Sequence, residues 1–211
     1  MNLAVLSESA ADEAAIRILI NGILGQETIP VNIPPLRSRG WPSVLRVIRP
    51  VMGHLHYQTD ADAFVVVVDS NTSPVHQSSH VESDEASEGC RLCQLESALG
   101  DVQSRLRPLP GRRAIKTAVG LAVPAIEAWY RCERDARVTE ATWMEGLRSG
   151  AFPYSKNRLK EDIYGTDRPS LEHETARAVE EAQRLVGDLG LLEIFFPNGF
   201  GALAQKVRTW H

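Results

Sequence analysis

Sulfur, long apolar runs and an excess of charge of one sign are all scarce in this sequence, and each scarcity excludes something. Cysteine occurs three times, as Cys90, Cys93 and Cys132. An odd count that small cannot supply a disulfide framework, and no signal peptide is recognisable. A reducing, cytoplasmic setting is therefore expected. No apolar stretch reaches the roughly 20 residues that a membrane span needs. The longest candidate, residues 114–128, is interrupted by Lys116, Gly120, Pro124 and Glu127. Net charge is only −4, which argues against a globally basic nucleic-acid coat while leaving room for a local basic patch. There is no Gly-rich phosphate loop, no zinc-protease helix and no Gly-x-Ser-x-Gly elbow. An ATPase activity, where one is needed, must come from another chain.

What is present suits one α/β unit. The 211 residues, 43% of them hydrophobic, are enough to bury a full core without staples. Residues 2–7 read as a short buried strand. Residues 10–25 place Ala15, Ile16, Leu19, Ile20, Ile23 and Leu24 at helical spacing, with Ser7 or Ser9 as N-cap and Gly25 as C-cap. Residues 27–36 are extended and proline-marked, an edge strand or a loop. A second helix is expected over 41–57, with Pro42 near its start and Pro50 kinking or dividing it. Residues 62–69 carry four consecutive valines and read as a strand buried on both faces. The polar stretch 70–89 is expected to be a mobile loop. Helical periodicity resumes over 90–106. Residues 114–123 are a further strand candidate, and Pro124 opens an expected helix over 124–136. The last third is mostly helical, with Ser170 as an N-cap and an apolar segment, a turn and a final helix at the end. Alternating strands and helices predict a mainly parallel sheet flanked by helices, with a helical C-terminal part. The expected division is an α/β core over 1–135 and a helical extension over 136–211 packed on it.

Three strand ends carry acids. The first runs into Glu8 and, four residues on, Asp12. The valine strand ends in Asp69 and Asn71. The third runs into Glu127. Parallel strands put their C-terminal ends on one edge of the sheet, so these loops are placed to bring Glu8, Asp69 and Glu127 together, with Asp12 and Asn71 behind. Hard divalent cations take oxygen ligands, and a bound cation turns the mutual repulsion of carboxylates into attraction. The plainer reading is that acids at helix N-termini complement the helix dipole and that Asp at a strand end is turn chemistry.

The stretches that carry these acids resemble a known family. Residues 5–24, "VLSESAADEAAIRILINGIL", resemble the opening of Toprim domains, where a strand leads to Glu and to an Asp four residues on. "FVVVVDSN" resembles the strand bearing the Toprim Asp-x-Asp motif, and "AVPAIEAWYRCE" is similar to a segment of small Toprim-like nucleases of the OLD and RloB types from bacterial defence loci. The resemblance covers residues 3–20, 62–71 and 119–133, and loosely the tail around Phe200. It implies a Toprim-like, Rossmann-like sheet and a metal-dependent nuclease that cleaves nucleic-acid phosphodiesters. Glu8 and Asp69 are then ligands of Mg2+ or Mn2+, with Asp12, Asn71 and Glu127 beside them. An anti-phage role with an ATPase partner is implied as well. Ser9 stands where the family has glycine, and Asn71 stands at the second aspartate. Those departures are the basis of an alternative: a non-catalytic binding or regulatory subunit on the same scaffold. Transition-state charge calls for cations; the candidates are Lys156 and Lys160, or Arg112, Arg113 and Lys116, against the plainer reading of each lysine as part of a solvated helix face.

A second set of residues is independent of this. His76-x3-His80-x9-Cys90-x2-Cys93 offers two nitrogens and two thiolates, a donor set for tetrahedral Zn2+. The plainer reading places the cysteines on a helix and the histidines in a solvated loop. A zinc-stabilised nucleic-acid-binding protein is the corresponding third function. His54 and His56 are expected to be surface or partly buried residues near a helix end. Trp129, Tyr130, Trp143 and Trp210 are expected to be core or interface anchors.

Overall fold

The computed structural model describes residues 1–34, 40–77, 80 and 88–210. Four strands form one sheet: β1 (Asn2–Leu6), β2 (Ile29–Pro30), β3 (Ala63–Asp69) and β4 (Lys116–Ala122). Their order is β2-β1-β3-β4, and every pairing is parallel. The helices are α1 (Ala10–Leu24), α2 (Trp41–Gln58), α3 (Arg91–Gln103), α4 (Ile126–Tyr130), α5 (Glu140–Ser149), α6 (Lys156–Tyr164), α7 (Leu171–Leu185), α8 (Leu189–Phe195) and α9 (Ala202–Arg208). The expected alternation of strand and helix is thus observed through α4.

The valine run is the physical centre of the fold. Leu3, Val5, Val65 and Val67 pack on one face against α1 and the C-terminal helices. Ala4, Leu6, Phe64, Val66 and Val68 pack on the other, against α2 and α3. With both faces covered, a polar residue has no place within the strand, so alternation disappears from the sequence. The first apolar cluster continues across residue 135, joining Val65 and Ala118 to Phe196, Phe200, Val207 and Trp210. A buried carboxylate helps to fix that C-terminal packing. Glu140 accepts the backbone N–H groups of Asn198 at 3.1 Å and Gly199 at 2.9 Å. This holds a π turn (Pro197–Gly201) against the end of β4, where a Cβ on Gly199 would lie 2.2 Å from the Leu121 carbonyl oxygen.

Local chemistry explains most helix ends. Ser9, Ser155 and Ser170 cap α1, α6 and α7 through their hydroxyls, and Gly25 ends α1 in the left-handed conformation. One expectation narrows and two change. Pro50 does not divide α2, which runs on to Gln58. Pro50 and Arg46, whose carbonyl loses its partner, are both on the exposed face, where water can serve that carbonyl. Pro124 does not open a helix. It follows a cis peptide bond with Val123, and α4 starts only at Ile126 and lasts five residues. The apolar segment of the tail is itself a helix, α8. The expected mobile loop over 70–89 falls partly on residues 78–79 and 81–87, which lie outside the described residues.

Candidate functional site at the carboxyl edge of the sheet

The register sets the edge. Leu6 pairs with Val66, and Asp69 pairs with Ala122. Beyond β1 the chain keeps contact with β3: the Ser7 hydroxyl donates to the Val67 carbonyl at 2.8 Å, and Glu8 Oε1 accepts the Asp69 N–H at 3.0 Å. Glu8 is therefore fastened beside Asp69 by backbone geometry.

Asp69 uses both carboxylate oxygens. Oδ1 accepts the Ile126 N–H at 3.1 Å and so caps α4 from outside the helix. Oδ2 receives Lys156 Nζ at 2.7 Å. The same ammonium donates to Asn71 Oδ1. Asn71 adopts a left-handed φ of 52°, a conformation that Asn tolerates better than most residues. Its backbone is held on both sides, by the Pro124 carbonyl accepting its N–H at 2.8 Å and by the Trp143 indole N–H donating to its carbonyl at 3.1 Å. Glu127, on the helix that Asp69 caps, lies 3.6 Å from Lys160 Nζ. Lys156 and Lys160 are one turn apart on α6.

The acids feel one another. Burial and then the neighbouring Asp69 charge raise the proton affinity of Glu8. Asp12 is pushed well above the usual carboxylate range by burial, with Asp69 and Glu127 adding to it. Glu127 is pushed up to about 7 by burial and then by Asp69, against the pull of Lys160. Burial alone would lower Lys160, but Glu127 and Glu174 outweigh it and raise it. Behind the rim, the hydroxyls of Tyr130 and Tyr164 are buried without a hydrogen-bond partner among the described residues. Both are pushed up by burial and by Asp12 and Glu127.

This donor set is all oxygen, and three of its carboxylates resist ionisation although lysines are close. A hard divalent cation fits that chemistry. The geometry adds a condition, because Lys156 already covers Asp69 and Asn71. Among the described residues the acids do not draw together as tightly as the His/Cys set, whose ligand atoms all lie within 4.8 Å of one another. Exposure divides the site. The side chains of Lys156 (30%) and Asp69 (17%) reach solvent, whereas Glu127 (4%) does not.

The alternative cations are elsewhere. Arg112 donates to the carbonyls of Leu55, His56 and Ala61. Lys116 begins β4 and donates to the Trp210 carbonyl. Arg112, Arg113 and Lys116 line a cavity with Met1 and Asp62, at the opposite edge of the sheet. One cation at the rim has no sequence signal. Arg91 donates to the Asp69 carbonyl at 2.6 Å, lies 3.8 Å from Glu8 Oε1 and covers the Trp41 ring at 5.2 Å. Of the four aromatic residues expected as anchors, Trp129 and Tyr130 are fully buried and Trp143 and Trp210 nearly so. His56 is also buried, with Nε2 at 2.9 Å from the Arg107 carbonyl oxygen. Among the described residues no helix is long and apolar enough to cross a membrane. Comparison of the chain with family models, curated proteins and solved structures finds no match.

Proposed function

We propose that the chain is a Toprim-like, metal-dependent nuclease that cleaves nucleic-acid phosphodiesters. The single observation that carries this reading is the neighbourhood of Asp69: Glu8 accepts its N–H, its charge acts on Glu127, and two lysines of one helix pair with Asp69 and Glu127. Mg2+ or Mn2+ would be held by Glu8, Asp69 and the Asn71 amide oxygen. Such an ion, when bound, polarises a phosphate oxygen and lowers the pKa of a bound water. The residues of the chain do the rest. Lys156, partly exposed, moves from Asp69 and Asn71 onto the phosphate and meets the charge that builds on its oxygens. Buried Glu127 keeps Lys160 protonated and directed to the rim. Asp12 stands behind them, its buried carboxyl holding its proton more tightly than a free one. The resemblance extends the proposal to an anti-phage effector working with an ATPase partner.

The test is cleavage of single- and double-stranded DNA and of RNA with Mg2+ or Mn2+. Glu8→Ala, Asp69→Ala and Glu127→Ala each abolish cleavage while the far-UV spectrum is kept. Full activity in all three variants overturns the site. A second reading, a non-catalytic binding or regulatory subunit, is favoured by the Lys156 ammonium lying on Asp69 and Asn71, the oxygens a metal needs. Absence of cleavage with any divalent ion, together with a stable complex with a partner protein, selects that reading.

A further inference from the structure

The strongest unassigned feature lies next to the rim and is independent of it. His76 and His80 follow the turn that leaves β3, and Cys90 and Cys93 lie at the start of α3. Chain folding brings all four together, so that one ligand atom from each lies within 4.8 Å of the others. We propose that these four residues form a structural Zn2+ site of two imidazoles and two thiolates.

The distances favour a shared cation over hydrogen bonding. His76 Nδ1 lies 3.3 Å from Cys93 Sγ and 3.7 Å from Cys90 Sγ. One ring nitrogen has one hydrogen or one lone pair, so it cannot satisfy two sulfurs through ordinary hydrogen bonds. Tetrahedral zinc with Zn–S about 2.3 Å and Zn–N about 2.0–2.1 Å separates its N and S ligands by roughly 3.6 Å. The two measured separations bracket that figure. The His76 and His80 rings are near-perpendicular, with centroids 5.5 Å apart, so their ring planes do not stack.

A separate observation also points to a ligand. His80 Nδ1 is buried and has no hydrogen-bond partner among the described residues. A buried ring nitrogen without a partner is costly, and coordination would satisfy it. Cys90 is fully buried, so its thiolate would be shielded from oxidation. Binding balances simply: each thiol gives up its proton to solvent as its Zn–S bond forms, and the histidines bind through neutral nitrogens. Softness of the donors selects zinc over the magnesium or manganese suited to the oxygen rim. Arg91 lies between the two cysteines and reaches Asp69, so the zinc would also fix the base of that arm.

The test uses the full chain, purified without chelator from zinc-supplemented medium. Elemental analysis is expected to give one zinc per chain. Replacement by Co2+ is expected to give a thiolate-to-cobalt charge-transfer band and the intense visible bands of a tetrahedral site. The His80→Ala and Cys90→Ser/Cys93→Ser variants are expected to lose stoichiometric zinc. If a variant fails to fold, the wild-type metal content and cobalt spectrum decide alone. No zinc together with no thiolate–cobalt band, or iron in place of zinc, overturns the proposal. The result is separable from nuclease activity, because the readout is the metal and its spectrum.

Discussion

Replacing Glu127 by Gln is expected to make the protein more stable and its stability less dependent on pH. Glu127 is 3% exposed and stands among Asp12, Asp69 and Lys160. Burial and the Asp69 charge lift its carboxyl from 4.5 to about 7. Each tenfold change in proton affinity is worth about 1.4 kcal/mol, so ionising Glu127 costs about 3 kcal/mol more in the folded chain than in the unfolded one. The sign follows from linkage. The folded chain binds this proton more tightly, so the stability it lends is fully present below 4.5. It is lost as pH rises through about 7. Above that, the wild type carries a buried charge that Gln lacks. Urea unfolding of both chains across pH 4.5 to 8, without added divalent metal, reads the effect. The two curves should coincide at the acid end, and the Gln variant should be more stable by about 3 kcal/mol at the alkaline end. In a chain of this size that is about 6–12 °C in melting temperature. Glu8 and Asp12 are raised as well, so the wild-type slope contains them. The difference between the curves isolates Glu127 and the relief it gives Asp12. Parallel curves would refute the electrostatic account of the rim.

Three further predictions follow from the same geometry. Lys156→Ala should lower metal-dependent cleavage by about 100-fold and also lower the melting temperature, because the side chains of the Lys156–Asp69 pair are only 30% and 17% exposed and the variant leaves the Asp69 carboxylate without its ammonium. Its pH profile should move upward, since Lys156 holds down the proton affinity of Glu8 and Glu127; unchanged cleavage would remove Lys156 from the chemistry. Asn71→Asp keeps a residue type that tolerates the left-handed backbone and adds a charged oxygen, so Mn2+ should bind about tenfold tighter by calorimetry. Weaker binding would mean that Lys156 keeps the position. Gly199→Ala places a methyl on the Leu121 carbonyl and should cost about 3 kcal/mol or more by urea unfolding; wild-type stability would contradict the close packing of the turn on β4.

The sequence was most readable where short-range chemistry decides. Ser9, Gly25 and Ser170 act at their own helix ends. The valine run declares a doubly covered strand without reference to its neighbours. The short α4 was not readable, because its N-terminal partner is Asp69, 57 residues away in sequence. Arg91 was hidden for the same reason: its position depends on where α3 starts relative to β1 and α2. The cations at 112, 113 and 116 were legible in principle. A residue at the start of a parallel strand lies at the edge opposite the acids, and that rule alone separates Lys116 from Glu8. The His/Cys set was visible as spacing, and tertiary folding was needed to bring its atoms within reach of one ion.

Helix α6 carries both lysines that answer the acids, and it is held as one piece: Leu159, Ile163 and Tyr164 point inward, and His173 and Arg177 meet the carbonyls of Tyr164 and Ile163 at its C-terminal end. Its two positive groups are mechanically one part. Any tilt of that cylinder that lifts Lys156 from Asp69 also draws Lys160 from Glu127, so the rim gains or loses its internal countercharge as a unit rather than residue by residue.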